Sequence, residues 1–186
     1  MKSTFQHTLF VALSLALASG HAQTQSAAQQ GSAGTTQPPV SLQNAPANAI
    51  TQTAVQQGVL NCAARINQVT TFLGYTPQAG ALLMTPPAQP DQRLLPLAME
   101  LPAEVGTAYV VASFAPNQAN GCGATYDAVS YWPQKCDAVA AKQFPGFKSL
   151  GQLKKSITVL DGGAASKIFL MPAGSGCVSI KKEIVL

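Results

Sequence analysis

The sequence predicts an α+β domain, an antiparallel sheet of about six strands with two helices packed on one face. Three observations carry that expectation. Val55, Val59, Cys62, Ile66, Val69 and Leu73 recur at intervals of four and three, which lays one apolar stripe along a helix. Later segments alternate apolar and polar residues with the period of a half-buried strand. Between those segments stand turn-forming clusters, Asp161-Gly162-Gly163 and Ala173-Gly174-Ser175-Gly176.

The first helix is expected from about Ile50 to Leu73, weakened near Gly58 and ended by Gly74-Tyr75-Thr76-Pro77. Gly80 to Thr85 is ambiguous, and Pro86, Pro87 and Pro90 stiffen the loop beyond it. From Arg93 to Leu101, the residues Leu95, Leu97, Met99 and Leu101 take one face, and Pro96 pushes this strand toward a sheet edge. Thr107 to Ala115 reads as a buried strand and Ala124 to Tyr131 as the next. Trp132-Pro133 then favours an extended residue and a pre-set helix start, so the second helix runs from Pro133 to Phe144. Pro145 to Lys155 reads as a loop. Ser156 to Leu160, Lys167 to Met171 and Cys177 to Leu186 complete the sheet.

Each half therefore reads helix and then three strands, the pattern an internal α-β-β-β duplication would leave. In each, one cysteine lies on the helix (Cys62, Cys136) and one opens the last strand after a glycine (Cys122, Cys177). With three strands in the second half, Cys122 and Cys177 begin strands at one end of the sheet and Cys136 lies at the other. A nine-residue strand spans ~30 Å, whereas bridged cysteines need Cα atoms within ~7 Å. The expected pairing is therefore Cys62 with Cys136 and Cys122 with Cys177.

Residues 1–22 have the form of a secretory signal peptide: Lys2, an apolar run from Thr8 to Ala18, and Gly20-His21-Ala22 as the small-x-small cleavage site. The run is about 11 residues, too short to span a bilayer, and Gln23 offers no cysteine for lipid attachment. Residues 23–48 are rich in Gln, Ala, Ser and Thr, carry no charge and read as a disordered linker. Residues 49–186 form the single domain. Export to the periplasm or the medium suits four cysteines held as disulfides, and no transmembrane segment is expected in the mature chain.

Both histidines of the chain, His7 and His21, lie in the leader. Its removal takes away the commonest general base and the commonest metal ligand. No two cysteines form a C-x-x-C pair, so no zinc, haem or other cofactor site is expected. Ser179-Ile180-Lys181-Lys182 matches S-x-x-K, but on a strand its serine and last lysine point to opposite faces. Asp137 and Asp161 have ordinary helix-start and turn roles. Asp127, in mid-strand, has none and is the one candidate acid for a glycan hydrolase.

Charge is uneven. Residues 135–186 carry eight lysines against three acids, a net of +5, while residues 23–134 are acidic by two. Lys148, Lys154, Lys155, Lys181 and Lys182 are the candidate binding residues for an anionic surface or an acidic protein. Nucleic acid is excluded by the scarcity of arginine and of interleaved aromatics. The expected function is that of an exported, non-catalytic binding or accessory domain of a bacterial-type cell envelope, presenting either an open sheet face or its lysine-rich C-terminal half to a partner. An inhibitor of a secreted hydrolase, or a histidine-free carboxylate hydrolase, is the alternative.

Overall fold

A computed structural model describes residues 46–185. The leader and the linker up to residue 45 lie outside the described residues. Helix α1 (Ala49–Gln56) and helix α2 (Ala63–Phe72) open the domain, followed by β1 (Gly80–Leu83), β2 (Leu95–Pro102), β3 (Thr107–Asn117) and β4 (Gly121–Trp132). Helix α3 (Cys136–Gln143) leads into β5 (Lys148–Gln152), β6 (Thr158–Asp161), β7 (Ser166–Ala173) and β8 (Gly176–Val185). The fold is α+β with an antiparallel sheet of eight strands, ordered β1-β2-β3-β4-β8-β7-β6-β5.

The expected first helix is two helices. Gly58 adopts φ of +85°, a left-handed turn that favours glycine and stops α1. The backbone amides of Leu60 and Asn61 both donate to Asp91 Oδ1 at 2.6 Å, so the break between the helices is pinned from the loop before β2. Asn48 caps α1 by accepting from the Thr51 amide. Its side-chain amide donates to Thr70 Oγ1 (2.7 Å), and its backbone N–H donates to Asn67 Oδ1 (2.9 Å). These bonds lock α1 against α2 and satisfy polar groups that would be costly to bury alone.

Alternation decides which face of the sheet is covered. Leu95, Leu97, Met99 and Leu101 of β2, with Val110, Ala112 and Phe114 of β3, bury against Ile50, Val59, Ile66 and Val69 of the first two helices. A separate, smaller core gathers Val139 of α3 with Trp132, Leu160, Ile168 and Leu170. Each half thus has its own helical cover and its own core. The two halves meet along the β4–β8 ladder.

The strand order is the same read from either edge, and the register makes the two halves equivalent. Pro116 faces Cys122 across β3–β4, and Pro172 faces Cys177 across β7–β8. Both halves therefore run helix and then four strands, rather than three. The two strands beyond the expected six are the sheet's edges: β1 falls on the ambiguous segment Gly80 to Thr85, and β5 on the stretch read as a loop. β5 is exposed at every residue, so no apolar alternation marks it.

That omission reverses the disulfide expectation. Cys62 is bonded to Cys122 and Cys136 to Cys177, with Cα atoms 5.1 and 5.0 Å apart. With β5 present, β8 runs antiparallel to β4 and starts where β4 ends, so Trp132 and Cys177 are register partners. Cys136, four residues beyond Trp132, then lies beside Cys177. Each disulfide staples the start of a helix to the last strand of its own half. Their spans of 60 and 41 residues correspond to about 4 kcal/mol each in the loop-entropy account.

Candidate binding face

The two helical covers lie on one side of the sheet, and no described element covers the other. Register sets the uncovered side chains in rows across the strands. One row runs Tyr109, Val129, Ile180, Phe169, Val159 over β3, β4, β8, β7 and β6. Beside it, Tyr131, Val178 and Met171 form a shorter apolar row. Tyr109 and Tyr131 remain 55% and 49% exposed, and the others are partly exposed. A contiguous apolar surface of this kind is unusual on an isolated domain.

On the other side of the long row lies a charged one: Asp127, Lys182, Lys167 and Asp161, in strand order β4, β8, β7, β6. Lys182 Nζ bonds Asp127 Oδ2 at 2.8 Å and Lys167 bonds Asp161 Oδ1 at 2.9 Å. Lys167 and the Gly163 amide hold the Asp161 carboxyl below its ordinary range. The two ion pairs cancel, with Lys148 of β5 standing beside Asp161 at the end of the row, and the apolar rows run uninterrupted beside them.

Tyr131 depends on a glycine. A Cβ at Gly176 would lie 2.6 Å from the Tyr131 hydroxyl and would also collide with the Trp132 carbonyl. Glycine at the start of β8 lets the tyrosine ring lie across the strand.

A polar cluster occupies the covered side of the central strands. Tyr126 Oη donates to Glu183 Oε2 at 2.8 Å, Lys181 Nζ donates to Tyr126 Oη at 3.0 Å, and Lys181 and Glu183 form an ion pair at 2.7 Å. Burial pushes the Tyr126 hydroxyl above its ordinary value, opposed by the bond from Lys181. Burial disfavours charge on Lys181, yet its bonds to Glu183 and Tyr126 raise its pKa overall. Burial likewise works against the Glu183 carboxylate, and the bonds from Lys181 and Tyr126 lower its pKa overall.

The five lysines singled out in the sequence do not form one patch. Lys181 is paired on the covered side, and Lys182 and Lys148 occupy the uncovered charged row. Lys154 and Lys155 sit in the β5–β6 loop. Ser179 accepts from Trp132 Nε1 at 2.7 Å inside the core, on the opposite side from Lys182, so S-x-x-K is split. Asp127 is three strand steps from Asp161, ~14 Å at ~4.8 Å per step, wider than the ~10 Å limit of a glycosidase pair. Among the described residues no group of three His, Cys, Asp or Glu side chains could hold a metal ion.

Sequence reasoning offered an open sheet face as one candidate surface but did not name the residues of the apolar rows, although a signal was present. Ile168-Phe169-Leu170-Met171 is an unbroken apolar run, so both faces of β7 are apolar and only one meets a helix.

No family model, curated protein or solved structure matches the chain. No helix among the described residues is long and apolar enough to cross a membrane.

Proposed function

We propose that this chain is an exported, non-catalytic binding module that docks a folded protein on the uncovered face of its sheet. The observation that carries the reading is the apolar row Tyr109–Val129–Ile180–Phe169–Val159, continuous over five strands and without a helix above it. The five strands the row crosses, at ~4.8 Å spacing and about 20 Å of strand length, offer roughly 480 Å², so a partner burying the ~800 Å² of a standard interface would take in the flanking charged row as well. Ion-paired charges beside the apolar rows provide a polar rim. The leader and the two disulfides support export. The absence of histidine after the leader and the split S-x-x-K support a non-enzymatic role. The near-symmetric halves, each with its own helix, disulfide and four strands, support an origin by internal duplication.

The experiment is capture from solubilised envelope with the disulfide-bonded protein and two variants. Phe169→Asp with Ile180→Asp should abolish retention of the stoichiometric partner, and Lys154→Glu with Lys155→Glu should leave it unchanged. Folding of both is checked by near-UV circular dichroism. Retention lost only in the lysine variant would transfer the function to the basic loop. A partner that is a secreted hydrolase, slowed by the wild-type protein alone, would make the module its inhibitor.

A further inference from the structure

We propose a second site, independent of the uncovered face: the cavity beside the start of α3 binds the phosphate ester of a small polyol. The three lysines of β7 and β8 (Lys167, Lys181 and Lys182) all have carboxylates within 2.9 Å. The other five lysines of residues 135–186 fall between residues 135 and 155, where they face a single acid in sequence, and none forms an ion pair among the described residues. Apart from Lys148, which faces Asp161 across β5 and β6, this stretch concentrates positive charge.

Two of those lysines meet at a cavity of about 510 Å³, lined by Lys135 and Lys155 with the hydroxyl residues Ser156, Thr158 and Ser175. Among the described residues, none of the three hydroxyls is committed to a hydrogen bond. Ammonium groups and free hydroxyls are donors suited to an anion of several oxygens. Asp137 also lines the cavity and opposes an anion, but the two lysines outnumber it. One wall is fixed by the Cys136–Cys177 disulfide, with Cα atoms 5.0 Å apart, and by Thr158 and Pro172 on paired strands, while Lys135, Lys155, Ser156 and Ser175 stand exposed on the loops and turn around it.

The donor set selects the ligand class. Ammonium groups suit a phosphate, and the hydroxyls of Ser156, Thr158 and Ser175 along the same groove suit hydroxyl groups carried beside it. A phosphate carried on glycerol or a sugar fits these donors. The same chemistry is presented by a soluble ester and by a glycerophospholipid headgroup.

The test uses the disulfide-bonded protein, with glycerol 3-phosphate and inorganic phosphate as probes read by amide chemical shifts. Saturable shifts are expected at Ser156, Ser175 and Gly176, tighter for glycerol 3-phosphate than for phosphate. Lys135→Gln with Lys155→Gln should weaken binding at least fivefold. Lys142→Gln with Lys148→Gln removes the same charge outside the cavity and should change it less than twofold. Phosphatidylglycerol vesicles separate the sources: co-sedimentation lost only in the cavity variant identifies a lipid headgroup, and none beside retained glycerol 3-phosphate binding identifies a soluble ester. Shifts that do not saturate, or equal weakening in both variants, would overturn the site.

Discussion

Asp127 and Lys182 face each other across β4 and β8, and they are also the equivalent residues of the two halves. Matching Cys122 to Cys177 matches each β4 residue to the β8 residue 55 positions later, and for Asp127 that is its own cross-strand partner. The pseudo-twofold axis of the sheet therefore passes through this pair. Identical residues there would set like charges directly opposite. An acid in one half and a lysine in the other make an ion pair instead.

Asp127→Lys should lower stability by about 1 kcal/mol through like-charge repulsion across the strands. Exchanging the two, with Asp127→Lys and Lys182→Asp together, should restore most of the loss. Urea denaturation of the wild type, Asp127→Lys, Lys182→Asp and the exchanged protein measures it. A double variant as unstable as the sum of the single changes would show that the pair is not coupled.

Non-reducing peptide maps should return Cys62–Cys122 and Cys136–Cys177. Replacing both cysteines of either pair by serine should cost about 2–4 kcal/mol. Because the pairs anchor separate cores, the two losses should add to within ~0.5 kcal/mol in the four-serine protein. Strong non-additivity in denaturant would mean that the halves share one core.

Gly176→Ala should destabilise by roughly 1–3 kcal/mol, since the added methyl collides with backbone as well as with Tyr131. Adding Tyr131→Ala should not rescue it, because the Trp132 carbonyl stays in place. Full rescue would show that the tyrosine ring alone sets the need for glycine.

The Tyr126–Lys181–Glu183 cluster gives stability a defined pH dependence. Glu183 has a folded pKa below its ordinary 4.5, so its contribution is present above pH 4.5 and is lost as pH falls toward the folded value. Lys181 and Tyr126 have folded values above 10.5 and 10.0, so theirs is present below pH 10 and is lost as pH rises further. Glu183→Gln should flatten the acid limb of a melting-temperature profile and leave the plateau between pH 6 and 9 level. An acid limb of unchanged slope would remove Glu183 as its source.

The sequence was most legible where burial is one-sided. The alternation Leu95–Leu97–Met99–Leu101 announces β2 because one face is buried and the other is not. β5 gave no such signal: every residue of Lys148–Gln152 is exposed, and a register shift near Gly151 interrupts its pairing. Missing one strand reverses the direction of all that follow, which is how a sound distance argument selected the wrong disulfides. The helix break at Gly58 was visible as a weakness, but its depth rests on Asp91, 30 residues from Asn61 and silent in local pattern. The residues of the open sheet face were hidden for a related reason. A strand apolar on both sides reads as buried, and only the topology shows that one side of β7 has nothing above it.

The most direct measurement is carbene footprinting of the protein alone and with its captured partner. Labelling of Tyr109, Tyr131 and Phe169 should fall sharply in the complex, while Phe72 on the helical side, 62% exposed, should label as before. Protection of Phe72 with Tyr109 and Phe169 still fully labelled would place the partner on the helices and contradict a docking role for the uncovered sheet.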